Sequence, residues 1–491
     1  MLGICRDLFS QWNKQNICYC HWKSNEHLTE GLDGLTDLDV LLKKTDKDRG
    51  CAVLQNLCFL YCKSQFGSRY PFVEDWIGFD TATGTLIHLH LHYKMITGHK
   101  GMKEYTLPWT DEVLSTRVEN DETNVYISDP NYEILTLFSR FGLKAHYKQI
   151  KVAKKKGFTI GEDNKKEIDY LKERVDWNKV SALAYHYYQE DAELLVDIMK
   201  NQDISGEDFL CLKILAERHL KDYSRYSSIG VFIRSIYFRL TGYLQSLKNK
   251  CGIITVTRKT SSSGRGPIIA FMGQDGAGKS TVVKDVRKWL SWKLEVRQFY
   301  LGSGDHYQPW EKRMAQKLHG SNNSIAILIR KWLPFSYLSK LGKNVYKTIV
   351  KANRYSRRGG IVLFDRYPQT EFIGINDGPK IRSTIMNKAT GVLRPIAEYY
   401  ARKEEYYLNK AVRYKPDIVI KLMLSPEESM RRKPHENYEA VRRKHEIIKS
   451  LDYTGLLGGQ HIVDATQPYE KELIEIKKII WNYLIRDSNS K

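Results

Sequence analysis

Two kinds of apolar patterning divide this chain. In the second half, short unbroken apolar runs recur at residues 267–272 (Pro-Ile-Ile-Ala-Phe-Met), 361–364 and 418–420, the last leading on through Leu422 to Leu424. Runs of this length, rich in β-branched residues, predict strands buried on both faces. Residues 296–301 add another strand candidate. Between these runs the spacing turns helical, over residues 282–290 and in long patterns that reach residue 355. Buried strands alternating with helices predict an α/β domain: a parallel sheet with helices on both faces. Sites in such sheets gather at the carboxyl ends of the strands.

The first half reads differently. Residues 1–130 mix short strand signals with helices, an α+β pattern, and residues 131–256 are mostly helix-like with few breakers. Residues 229–247 form a basic amphipathic helix, with Val231, Ile233, Ile236, Leu240, Leu244 and Leu247 on one side. The expectation is that this side packs on its own domain; peripheral contact with a membrane surface is the alternative. The polar, small-residue stretch 257–266 (Thr-Arg-Lys-Thr-Ser-Ser-Ser-Gly-Arg-Gly) has linker composition. The expected layout is therefore an α+β domain at 1–130, a helical domain at 131–256, a linker at 257–266 and the parallel-sheet domain at 267–491.

Composition narrows the setting. The chain has 491 residues, 42% of them hydrophobic, enough for real cores. No apolar run approaches the roughly 18 residues of a membrane span, and the N-terminus has no apolar signal core. The 8 cysteines include no Cys-x-x-Cys pair, so reduced thiols and a cytoplasmic location are expected. The net charge of +21 is unevenly placed: residues 251–491 carry 44 Lys and Arg against 23 Asp and Glu, whereas the first 250 residues carry 34 of each. All the excess sits with the parallel-sheet half, a field suited to a nucleoside triphosphate and an acidic second substrate. No recognised nucleic-acid-binding motif accompanies it, so nucleic acid is not an expected partner.

The chemistry concentrates directly after residues 267–272. There the sequence reads Gly273-Gln274-Asp275-Gly276-Ala277-Gly278-Lys279-Ser280-Thr281, which fits G-x-x-x-x-G-K-[ST] between a strand and a helix. The glycines let backbone wrap closely around a polyphosphate while successive N–H groups point inward. The helix N-terminus adds its partial positive charge. Gly273, Gly276, Ala277, Gly278, Lys279, Ser280 and Thr281 are the expected nucleotide contacts, with Lys279 on the β- and γ-phosphates and the Ser280 hydroxyl on Mg²⁺. Further along, Asp365-Arg366-Tyr367 closes a strand, and Ser425-Pro426-Glu427-Glu428-Ser429-Met430-Arg431-Arg432-Lys433 follows another.

These three motifs, in this order over residues 266 to about 485, resemble the thymidylate kinase family of P-loop nucleoside monophosphate kinases. The resemblance implies ATP- and Mg²⁺-dependent phosphoryl transfer to a small acceptor, and a dimer as one assembly. It implies that Asp275 is aimed at the acceptor's sugar hydroxyl, that Arg366 holds the acceptor phosphate and that Asp365 lies near the metal. Arg431, Arg432 and Lys433 fall in the family's lid, where Arg431 or Arg432 would supply the cation that Gly276 does not. The sequence departs from the family at the acceptor base: residues 368–379 lack the Ala-Tyr-Gln type segment, and residues 302–305 (Gly-Ser-Gly-Asp) replace an Arg-Glu-Pro. Thymidylate is therefore not the expected acceptor. The divergent pattern is similar to thymidylate-kinase-like proteins associated with bacterial surface polysaccharide biosynthesis. The acceptor is expected between Asp275, Asp305 and Arg366, as a nucleotide, sugar or glycolipid.

A second constellation lies in the first half. Asp37-Leu38-Asp39 places two carboxylates on one face of a strand, the arrangement that can hold Mg²⁺ for attack on a nucleotide phosphate. With Lys23-Ser24 upstream, it resembles the nucleotidyltransferase fold. That fold brings a third carboxylate from a later strand, where this sequence offers His88, His90 and His92, all facing one way, to line a site or bind a metal. Asp80 sits too early in the hairpin to substitute. The reading that results is a P-loop kinase fused to a nucleotidyltransferase-like domain. A bifunctional enzyme and a non-catalytic ATP-binding switch are the alternatives.

Overall fold

The computed structural model of the chain describes residues 1–65, 69–145, 160–250, 255–261, 264–301, 310–373 and 378–489. They form two compact units, Met1–Thr255 and Val256–Lys491.

The first unit is built on a mixed sheet. Its strands are β1 (Tyr19–His21), β2 (Leu38–Leu42), β3 (Leu60–Lys63), β4 (Val73–Asp80), β5 (Thr85–His92), β6 (Val118–Asn120) and β7 (Val125–Ile127). Their order is β3-β4-β5-β2-β1-β7-β6. β5 runs parallel to β2 and antiparallel to β4. Strand alternation sorts the side chains of β5: Ile87, Leu89 and Leu91 enter a core shared with Ile4, Leu8, Phe9 and Trp12 of α1 (Gly3–Lys14) and with Val53 and Leu54 of α2 (Lys47–Asn56). His88, His90 and His92 therefore point to the opposite face.

Among the described residues five helices follow: α3 (Pro130–Lys144), α4 (Glu162–Lys172), α5 (Trp177–Tyr188), α6 (Ala192–Lys200) and α7 (Gly206–Leu220). α3 starts where Asp129 accepts the N–H of Asn131 and Pro130 takes the first helical position. α7 starts at a capping box formed by Ser205 and Asp208. The expected boundary at 130/131 falls one residue inside α3. Ile134, Leu135 and Phe138 of α3, with Leu171, Val180 and Leu212, bury into one core with Cys20, Trp22 and Leu41 of the sheet region.

α8 (Ser228–Lys250) departs from expectation. Its apolar stripe does not pack on its own domain among the described residues: Ile233 is 59% exposed, Leu240 56% and Leu244 52%, and Ile236 and Leu247 are exposed too. The periodicity specified an amphipathic helix correctly but could not specify what lies against it. Among the described residues no helix is long and apolar enough to cross a membrane.

The second unit is a five-stranded, wholly parallel sheet of β8 (Ile268–Gly273), β9 (Val296–Phe299), β10 (Ile361–Phe364), β11 (Ile418–Met423) and β12 (Gln460–Asp464), in the order β9-β10-β8-β11-β12. The apolar run that drew attention in sequence is the central strand, buried between β10 and β11. Helices cover both faces of the sheet. Those in contact with its strands are α9 (Lys279–Leu290), α10 (Ser324–Ser356), α13 (Tyr438–Ser450) and α14 (Tyr469–Asn489). α11 (Leu393–Ala411) packs along α10, and α12 (Pro426–Arg432) leads into α13.

The stretch 257–266, expected as a linker, is tied into this unit in its described residues. Glu295 accepts the N–H groups of Thr257 and Arg258, and Arg265 pairs with Asp417 at 3.0 Å. Residues 302–305, including Asp305, lie outside the described residues, as do residues 374–377.

Candidate functional site

The glycine-rich turn joins the central strand to α9. A Cβ at Gly273 would lie 2.7 Å from the carbonyl oxygen of Leu422 on the neighbouring strand, so the strand can end there only as glycine. Gly276 (φ +86°) and Gly278 (φ +75°) adopt left-handed backbone that other residues take at a cost. Gly278 is the N-cap of α9 and has no side chain to offer the first N–H groups of the helix. Ala277 is buried beneath the turn, while Ser280 and Thr281 are exposed on top. The ammonium group of Lys279 folds back to donate to the carbonyls of Gly273 and Gln274, both at 2.7 Å.

Charged side chains ring this turn. Burial opposes ionisation of Asp275, but a 2.5 Å hydrogen bond from Lys444 and the charges of Lys444, Lys279 and Lys433 bring its pKa below the ordinary carboxylate value. The Ser429 hydroxyl donates to the Asp275 carbonyl at 2.8 Å. Arg432 donates to the carbonyls of Gly276 (3.3 Å) and Ala465 (3.0 Å), so it touches the turn itself. Arg431 does not: it is 76% exposed and held by two 2.6 Å bonds to Glu428, which also binds Arg432 at 2.9 Å. Glu428 is drawn down to about 2 by the hydrogen bonds from Arg431 and Arg432.

Asp365 follows directly on β10 and is buried at 4% exposure. It stands at the carboxyl end of the strand beside β8. The next residue, Arg366, places its guanidinium 5.7 Å from the centre of the Tyr300 ring. Arg366 also lines a solvent-open cleft together with Lys380, Glu404, Leu301, Val345 and Leu408. Glu404 is buried, which pushes its carboxyl up, and it accepts the N–H groups of Lys380 and Ile381. Lys380, Glu404 and Lys444 were not named from the sequence. They come from separate segments and belong to no local motif.

The first unit has its own polar centre, and here too the structure brings sequence-named residues together. The Nδ1 of His88 lies 2.8 Å from Asp37, and the Nδ1 of His90 lies 3.3 Å from Asp39. The Nε2 of His92 lies 3.0 Å from Asp39, and Lys23 pairs with the same carboxylate at 2.9 Å. Asp75 on β4, which sequence reasoning passed over, meets the Nε2 atoms of both His88 and His90 at 3.1 Å. Asp80 serves locally, accepting the N–H groups of Ile4, Ala82 and Thr83.

Burial works against ionisation of Asp39, yet Lys23, His90 and His92 hold it well below the ordinary carboxylate range. Burial pushes His92 down to about 4 and also lowers His88. For His90 burial is outweighed by the hydrogen bonds and charges of Asp39 and Asp75, which raise it to about 9. Burial, with the charges of Lys23 and Arg140, lowers Lys103 to about 8. The Lys23–Asn25 turn is anchored by Glu133, which accepts the Asn25 N–H at 2.9 Å and is raised by burial to about 7.

A glycine turn between strand and helix, at the centre of a parallel sheet covered on both faces, defines the P-loop class of fold. No family model matches the chain. The uncharacterized ATP-binding protein YghR of Escherichia coli strain K12 is 27% identical over 227 residues, an alignment covering 43% of this chain and 86% of YghR. The uncharacterized ATP-binding protein YghS of the same strain is 23% identical over 225 residues, covering 40% of this chain and 87% of YghS. Among solved structures, deoxyadenosine kinase from M. mycoides with bound dATP aligns at 16% identity and a TM-score of 0.27, covering 43% of this chain and 97% of that one.

Proposed function

We propose that the second unit is an ATP- and Mg²⁺-dependent phosphotransferase of thymidylate-kinase-like type, acting on a small phosphorylated or sugar-like acceptor. One observation carries the reading: a strand–glycine turn–helix whose lysine bridges the turn's own carbonyls, with a cleft lined by cations beginning at the adjacent strand end. Two similar proteins named for ATP binding support ATP as the donor.

Phosphoryl transfer needs positioning and charge neutralisation more than covalent chemistry. In this reading the turn's N–H groups and the start of α9 hold the triphosphate. Lys279 exchanges its two carbonyl bonds for the β- and γ-phosphates. Arg432, already bonded to the turn, neutralises charge on the transferred group; Arg431 reaches it only by leaving Glu428. Arg366 and Lys380 receive the acceptor's anionic group, Arg366 as a bidentate fork. Asp275 orients the acceptor hydroxyl. Ser280, exposed at the first turn of α9, and Asp365, at the neighbouring strand end, fit Mg²⁺ as hard oxygen donors. When bound, Mg²⁺ neutralises phosphate charge. A role in bacterial surface polysaccharide synthesis is the extension that the sequence resemblance supports.

The test is γ-labelled ATP incubated with the full chain and a panel of nucleotides, sugars, sugar phosphates and glycolipids. Label moving to one class of acceptor, and not to thymidylate, is expected. ATP bound without transfer to any class would favour a nucleotide-gated switch. For the first unit, the ion pair of Lys23 with Asp39 favours a second reading, nucleotidyl transfer at Asp37 and Asp39. That reading requires α-labelled triphosphate to leave its label on a product.

A further inference from the structure

The nucleotidyltransferase resemblance asks for carboxylates on the sheet of the first unit; it does not account for three histidines among them. Asp39, His90 and Asp75 stand abreast on β2, β5 and β4. His88 repeats the arrangement two residues earlier, between Asp37 and Asp75.

The contacts can be counted. Five imidazole nitrogens face carboxylate oxygens at 2.8 to 3.3 Å: both nitrogens of His88, both of His90 and the Nε2 of His92. Each contact is favourable only with a proton or a cation between the two lone pairs. Three neutral imidazoles carry three N–H groups, one each. Two contacts are thus left requiring positive charge, inside a cluster where the His88 side chain is 0% exposed. Two extra protons would supply it, and so would one divalent cation.

The geometry favours the cation. A single oxygen of Asp75 accepts from the Nε2 of both His88 and His90. That fixes both rings and turns both Nδ1 lone pairs toward Asp37 and Asp39, the way a carboxylate behind a histidine orients a metal ligand. Two ligand atoms each about 2.1 Å from one metal, at octahedral to tetrahedral angles, lie roughly 3.0 to 3.4 Å apart. Between two of the proposed ligands, the His88 Nδ1 and Asp37, the separation is 2.8 Å, just short of this range. Ligand atoms of Asp37, His88 and His90 all lie within 4.8 Å of one another. Lys23 pairs with Asp39, and the Asp37 side chain is 30% exposed, which gives an ion a way in.

We infer that the first unit holds a divalent transition-metal ion on His88, His90 and Asp37, with Asp75 orienting both rings. Imidazole donors select ions such as Zn²⁺ and Co²⁺ over Mg²⁺ and Ca²⁺. The site does not depend on the phosphotransferase reading, since none of its residues belongs to the second unit.

The experiment is titration of chelator-treated full-length protein with Co²⁺, read by visible absorption and by metal analysis after gel filtration. One equivalent retained, displaced by Zn²⁺ but not by excess Mg²⁺, is expected. Asp37→Asn, partly exposed and conservative, should weaken Co²⁺ binding at least about tenfold, and His90→Gln should abolish the absorption band. Lys279→Ala should retain the metal in full, whatever it does to phosphoryl transfer. Circular dichroism of each variant separates lost ligation from lost fold. No retained Co²⁺, or retention unchanged in both Asp37→Asn and His90→Gln, overturns the inference. The second result would point elsewhere, for instance to the group of Glu190, Asp191 and His219.

Discussion

The glycine turn of the second unit and the histidine face of the first are both polar centres on sheets, but they are built from opposite materials. The turn is made of backbone. Gly273, Gly276 and Gly278 shape it, Ser280 and Thr281 stand exposed, and Lys279 waits on two carbonyls. The histidine face is made of side chains drawn from three strands, largely buried and bonded to one another. A site of backbone in solvent can accept a large flexible anion without rebuilding itself. A buried site of side chains demands a small, fixed charge.

That contrast can be broken in order of expected effect. Lys279→Ala removes the only side chain in the turn that carries positive charge, and phosphoryl transfer should fall on the order of 100- to 1000-fold. Steady-state kinetics with ATP checks this. If the units work separately, the Asp37→Asn and Asp39→Asn pair should leave that same rate within about twofold. A large fall in the pair would join the two centres into one machine.

The next effect is on stability. The Glu133 carboxyl titrates near 7 in the fold and near 4.3 when unfolded. Between those values the folded state keeps a proton that the unfolded state has lost, so stability falls as pH rises through the window. Below it both states are protonated, and above it both are ionised. The cost is on the order of 3 to 4 kcal/mol at most. Thermal melts from pH 4 to 8 should show the first unit losing stability as pH rises, and Glu133→Gln should flatten that slope. An unchanged slope in the variant would remove Glu133 as its cause.

Smaller effects separate the cleft from the lid. Arg366→Lys keeps charge but loses the fork, and KM for the acceptor should rise about tenfold with ATP affinity unchanged. Arg432→Ala should slow transfer more than Arg431→Ala, because only Arg432 touches the turn in the described structure. Equal losses in the two variants would mean that Arg431 leaves Glu428 during the reaction.

How far the sequence revealed each centre follows from the same contrast. The glycine turn is local: nine consecutive residues state it, and the flanking run announced the central strand. The three inner strands were legible because strands buried on both faces are apolar throughout; the edge strand β12, polar and half-exposed, was not. Lys380, Glu404 and Lys444 were not legible, since helix packing brings them in from distant segments. Asp75 lay within reach. A tight hairpin pairing Asp80 with Thr85 sets Asp75 opposite His90 by register alone, but Asp75 carries no motif to draw the eye. The stripe on α8 was legible as a helix face and misleading as a packing face, because periodicity encodes amphipathicity and not the partner.

The most direct measurement is a crystal structure of the full chain with Mg²⁺ and a non-hydrolysable ATP analogue. The account predicts the triphosphate wrapped by the residue 273–281 turn, with the Lys279 ammonium moved off the Gly273 and Gln274 carbonyls onto the β- and γ-phosphates. A nucleotide bound elsewhere on the chain, with Lys279 still on those carbonyls, would contradict it.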